Sequence, residues 1–67
     1  MKPLTGRELA RLLEEHGCKL ARVRGSHHVY VKPGRIEKIS VPVHGNKELK
    51  PGLQDFLLKA AGISGRF

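Results

Sequence analysis

A single cysteine, Cys18, in a chain of 67 residues is the feature that most narrows what this sequence can fold into. One thiol closes no internal disulfide, and a metal site made of several thiolates is excluded. A chain this short without covalent staples relies on one small hydrophobic core. The expected organisation is therefore one domain over residues 1–67. Such a body has little depth for a cleft, so its chemistry is expected on an open face, where a large exposed substrate can reach it. A small fold without disulfides fits a reducing compartment, and a cytoplasmic location is the expectation. The N-terminus carries no long apolar run, so neither a signal peptide nor a membrane span is expected.

The elements can be read in order. Thr5 is a good N-cap, and Glu8 three positions later completes a capping box, with Leu4 and Leu9 placed for a hydrophobic staple. Leu9, Leu12 and Leu13 recur at helical spacing, opposite Arg7, Arg11, Glu14 and Glu15. Gly17 supplies the helix end. Residues 18–24 mix Cys18, Leu20 and Val23 with Lys19, Arg22 and Arg24, and read as a strand. Gly25-Ser26 is a turn, residues 27–32 are β-rich, and Pro33-Gly34 is a second turn. Residues 36–43 read as a third strand, in which Ile39, Val41 and Val43 alternate with Ser40 and Pro42. Pro42 donates no ladder hydrogen bond, which points to an edge. A polar loop, residues 44–48, precedes Pro51, which suits the first position of a second helix. That helix shows an apolar stripe of Leu53, Phe56, Leu57 and Ala60, ends at Gly62, and has Ile63 to close its cap. The predicted fold is α+β in the order α-β-β-β-α, a three-stranded antiparallel sheet with both helices on one face. The other face is then free.

Thirteen Lys and Arg oppose six Asp and Glu, for a formal net charge of +7. A surplus this large on so small a body favours a polyanion, since basic side chains displace condensed counterions from phosphates. The plain alternative is a solubility charge, or attraction to an anionic membrane surface.

Two segments could carry chemistry. The first is Gly25-Ser26-His27-His28-Val29-Tyr30. Imidazole exchanges protons near neutral pH, and RNA supplies its own nucleophile, the 2′-hydroxyl. A histidine at the start of a strand, near Arg22, Arg24 and Lys32, has the character of an RNA-cleaving group. The ordinary alternative is a pair of surface histidines beside a turn. Alternation sends His27 and His28 to opposite faces. If Val29 and Val31 point inward, His28 is exposed; if Tyr30 points inward, His27 is. Periodicity leans towards the first. The second segment runs from Val41 to Gly52. Here His44, Lys47 and Lys50 precede a helix N-terminus, where free amides favour phosphate; the alternative is a solvated loop. Adjacent His27 and His28 diverge, and no HExxH or CxxC spacing exists, so no metal site is expected. No nucleotide-binding glycine loop occurs either, and no cofactor is expected.

These residues resemble the HicA/YcfA toxin family over about residues 4 to 64. The matching features are the opening helix ending in Gly17, Arg22, Gly25-Ser26-His27 with Tyr30 after it, Val41-Pro42-Val43-His44, Lys50-Pro51-Gly52 and the closing Ala61-Gly62-Ile63. The resemblance implies a fold similar to double-stranded-RNA-binding domains. It implies an mRNA interferase, an endoribonuclease of a toxin–antitoxin pair, neutralised by a HicB-type antitoxin; the histidine chemistry would be metal-independent, and the alternative is a non-catalytic RNA-binding module. It places the catalytic histidine on His27, with His28 as the alternative, and makes Tyr30 the inward residue. The RNA contacts would come from Arg22, Arg24, Ser26, Lys32, His44, Lys47 and Lys50.

Overall fold

The computed structural model describes residues 3–63. Five elements follow one another: α1 (Gly6–Glu15), β1 (Lys19–Arg24), β2 (His27–Val31), β3 (Lys38–Pro42) and α2 (Pro51–Ala60). The strands form an antiparallel meander in the order β1-β2-β3. This is the α-β-β-β-α arrangement that the residue pattern predicts.

Each helix begins and ends for a local reason. The Thr5 hydroxyl accepts the Glu8 amide at 3.1 Å, and the Glu8 carboxylate accepts the Thr5 amide at 2.9 Å. Two donors left free by helix geometry are thus satisfied reciprocally. At the far end, the Gly17 amide donates to the Glu14 carbonyl and the Cys18 amide to the Leu13 carbonyl. That pair of bonds is the Schellman closure, and it carries the buried Cys18 side chain into the core beside Leu13. α2 closes in the same way, with Gly62 donating to Lys59 and Ile63 to Leu58.

Burial identifies the face that the helices cover. Tyr30, Ile39 and Val41 are buried together with Leu9 and Leu13 of α1 and Leu57 and Leu58 of α2. Tyr30 stands opposite Ile39, and His28 opposite Val41. Partners across a ladder share a face, so both helices lie on the Tyr30 side. The residues between them in sequence, His27, Val29 and Val31, belong to the uncovered side.

The structure departs from the residue pattern at several points, the first in β2, where Tyr30 points inward rather than the Val29 and Val31 that periodicity favours. β3 begins at Lys38 rather than residue 36, and Ile36 is 99% exposed. The buried face of α2 is Gln54, Leu57, Leu58 and Ala61, one position on from the expected stripe, leaving Phe56 66% exposed. Both sets have helical spacing. Leu57, Leu58 and Ala61 of the second set pack into the core, and the Gln54 side-chain oxygen accepts the Leu4 amide at 2.7 Å, a bond that ties α2 to the N-terminal segment. Finally, the loop before α2 is anchored. Leu49 is buried and its amide donates to the Leu4 carbonyl at 2.7 Å, while Thr5 and Glu48 form an isolated bridge. No helix among the described residues is long and apolar enough to cross a membrane.

Candidate nucleic-acid interface and acid–base site

The hairpin between β1 and β2 fixes the site. Its two-residue loop is Gly25-Ser26, and Gly25 alone of the two has a positive φ, 58°. This is the pattern of a II′ turn, whose twist matches that of the flanking strands. The turn sets Arg24 opposite His27, so the guanidinium and the imidazole rise on the same side of the sheet.

Further along β1 the register slips between Leu20 and Arg22, leaving Ala21 as an unpaired extra residue. A regular strand could not turn both Leu20 and Val23 towards the helices, since they are three apart. The bulge resolves that conflict. Leu20 pairs with Tyr30 and Val23 with His28 on the helix side, while Lys19, Arg22 and Arg24 pair with Val31, Val29 and His27 on the open side. On the other edge, Lys38 and Ser40 face Val31 and Val29. The open face therefore carries two lysines and two arginines on its outer strands. None of the three strands contains Asp or Glu. Val29 and Val31 are half-buried on this face, as expected for short side chains flanked by the aliphatic stems of long cations.

His27 is exposed. Its Nδ1 lies 3.4 Å from the Ser40 hydroxyl, a long contact across β2 and β3. Its ring meets that of His44 edge-on, with centroids 6.4 Å apart and planes at 85°. His44 reaches this position because β3 continues the pairing past its last residue: the Val43 amide donates to the Ser26 carbonyl at 2.7 Å. Ser26 thus contributes its backbone, and its side chain is half-buried. Lys47 stands in the turn that follows, its amide donating to the His44 carbonyl at 3.0 Å. Lys50 is three residues further on, the N-cap of α2, and makes no side-chain cap bond.

Two sequence-predicted residues are placed elsewhere. His28 faces the helices, half-buried in a shallow groove lined by Arg7, Arg11 and Leu20. Lys32 is also on the helix side, where its ammonium donates to the Ala61 carbonyl at 2.6 Å. Arg35 donates to the neighbouring Ala60 carbonyl at 3.3 Å. Both cations meet the negative end of α2, where helix carbonyls lack partners. Lys32 is therefore held in a structural contact away from the open face, which corrects its place among the phosphate contacts. Lys19, Lys38 and Ser40 also lie on the open face, beyond the residues that the sequence pattern points to. The alternation of Ile39 and Val41 with Ser40 was the available signal for Ser40. The signal for Lys19 was its spacing of three from Arg22, matching that of Leu20 from Val23.

Tyr30 is 2% exposed, and its hydroxyl donates to the Glu14 carboxylate at 2.9 Å. Burial, then the bond to Glu14 and its charge, push the phenol up to about 12. The Cys18 thiol is raised by its burial, against a smaller opposing pull from Lys32. Neither group has the character of a nucleophile poised for use at neutral pH.

The sequence that builds this fold matches a family model of the toxins of bacterial toxin–antitoxin systems. The match is to the HicA toxin family, over residues 6–63, and the chain belongs to that family. The matched span runs from the first residue of α1 to Ile63, the residue that closes α2. A search of curated proteins found no match.

Proposed function

We propose that this toxin is a metal-independent endoribonuclease that cleaves mRNA on the open face of its sheet, with His27 as its acid–base group. The observation that carries the reading is the exposed His27 imidazole, seated opposite Arg24 on a face whose charged side chains are all cations. Arg22, Arg24, Lys19 and Lys38 hold the RNA backbone, and Lys47 and Lys50 extend the contact past His44. Positive charge fixed beside the phosphate stabilises the charge that develops as the 2′-oxygen attacks. His27 takes the 2′-hydroxyl proton. The O2′–P bond forms, the P–O5′ bond breaks with its electron pair on O5′, which takes a proton from a second donor, and the ends are a 2′,3′-cyclic phosphate and a 5′-hydroxyl. His28, on the helix side, is the lesser candidate. A HicB-type antitoxin neutralises the toxin by covering the same cationic face. One domain over residues 1–67 and a cytoplasmic site of action, where mRNA is found, complete the reading.

The test is cleavage of RNA by the purified chain with EDTA present, comparing His27→Ala with His28→Ala. The expected result is a loss of about 10²–10⁴-fold for His27→Ala, a much smaller effect for His28→Ala, and no cleavage where the 2′-hydroxyl is absent. Full activity in His27→Ala overturns the assignment. RNA that is shifted in a gel but intact identifies a binding module instead.

A further inference from the structure

Cleavage by 2′-hydroxyl attack requires two proton transfers, one from the nucleophile and one to the leaving oxygen. A single imidazole cannot make both in one displacement. We propose that His44 is the second catalytic group, protonating the 5′-oxygen as it leaves while His27 deprotonates the 2′-hydroxyl. The proposal rests on the RNA-cleaving reading above and adds a residue to it.

Geometry carries the inference. His27 opens β2 and His44 follows β3, yet their ring centroids lie 6.4 Å apart with the planes at 85°. Both residues are exposed. Two imidazoles this close can both reach one phosphodiester through hydrogen bonds of about 2.6–3.2 Å. The placement is held by backbone: the Val43–Ser26 bond on one side of His44 and the Lys47–His44 turn on the other. The other groups nearest His27 do not suit the role. A guanidinium and an aliphatic hydroxyl are both poor proton donors to a leaving oxygen, whereas imidazole as a chemical class gives and takes a proton near neutrality.

The roles divide by tautomer. The Ser40 hydroxyl sits 3.4 Å from Nδ1 of His27. In the tautomer that carries its proton on Nδ1, towards Ser40, Nε2 is the free lone pair of a base. His44 takes the complementary part and supplies the proton. The 2′ proton passes to Nε2 of His27. The electron pair of the broken P–O5′ bond stays on O5′, which takes the proton from His44. Water then returns both rings to their starting states.

The decisive experiment uses two RNA substrates, one ordinary and one with sulfur in place of the bridging 5′-oxygen. A thiolate leaves without being protonated. His44→Ala is expected to slow cleavage of ordinary RNA by about 10²–10⁴-fold and to stay within several-fold of the unmodified protein on the sulfur substrate. His27→Ala is expected to fail on both. His44→Gln should repeat the pattern, and melting curves of both variants should match the parent, since His44 lies outside the core. Equal losses on the two substrates, or full activity of His44→Ala on ordinary RNA, overturn the proposal and leave the role of His27 standing. Sulfur rescue of His27→Ala in place of His44→Ala overturns the division of roles. If the unmodified protein binds both substrates and cuts neither, the RNA-cleaving reading falls as well.

Discussion

Raising the pH past 10 should destabilise this protein through Tyr30, and Tyr30→Phe should remove that loss. The buried hydroxyl donates to Glu14, and burial followed by that carboxylate pushes the phenol up to about 12 from 10.0. A raised acid favours folding wherever the unfolded chain would ionise first. The stabilisation is complete below pH 10, declines as the pH rises, and is gone above pH 12. At about 1.36 kcal/mol per pH unit, the two-unit shift is worth about 2.7 kcal/mol in full and about 1.4 kcal/mol by pH 11. A chain of 67 residues has roughly 3–10 kcal/mol of total stability, so this loss is measurable. Urea unfolding of both proteins at pH 8 and pH 11 tests it. At pH 8 Tyr30→Phe should be the weaker by about 1–2 kcal/mol, because Glu14 loses its donor. At pH 11 the gap should narrow by about 1.4 kcal/mol. Tyr30 is the only tyrosine, so its ionisation can also be followed directly by absorbance. Parallel declines in the two proteins would refute the reasoning. They would mean that the phenol is not enclosed, and alternation would then no longer place His27 on the free side.

Three further outcomes follow from the packing. Gly6→Ala should destabilise by about 1–3 kcal/mol in thermal unfolding, since a methyl there would overlap the Pro42 carbonyl oxygen and press on Val43. It should also lower cleavage per folded molecule, because the same backbone positions His44. Lys32→Met should cost about 0.5–1.5 kcal/mol of stability through the lost bond to Ala61, with RNA affinity nearly unchanged. Arg22→Ala and Arg24→Ala should each weaken binding of single-stranded RNA and reduce the slope of log affinity against log salt by about 0.7; an unchanged slope in both would take the open face out of the interface.

The capping box at Thr5, both glycine helix ends and the edge position of Pro42 were legible because each depends on a few neighbouring residues. The facing of β2 was less so. Valines at 29 and 31 suggest an inward set, yet they lie half-buried among long cationic stems, and Tyr30 enters the core with Glu14 to receive its hydroxyl. No local pattern contains that carboxylate, which is sixteen residues away. The resemblance to HicA-type toxins supplied the facing that periodicity did not. The shift of the α2 stripe is likewise non-local: the Gln54 side-chain oxygen accepts the Leu4 amide, fifty residues earlier. Of the site, His27, Arg22, Arg24 and His44 were named from sequence, but their convergence was not. The approach of His44 to His27 depends on pairing between separate strands, which only the assembled sheet specifies.

The slip at Ala21 has a consequence for how β1 tolerates change in length. The strand carries one residue more than its partner needs. Excising Ala21 would leave Lys19, Leu20, Arg22, Val23 and Arg24 on the sides they now occupy, in a straighter strand. Excising Val23 instead would let the ladder close only by sending Arg22 beneath α1. Spare length at one position thus shields the charge pattern from one deletion and exposes it to the next.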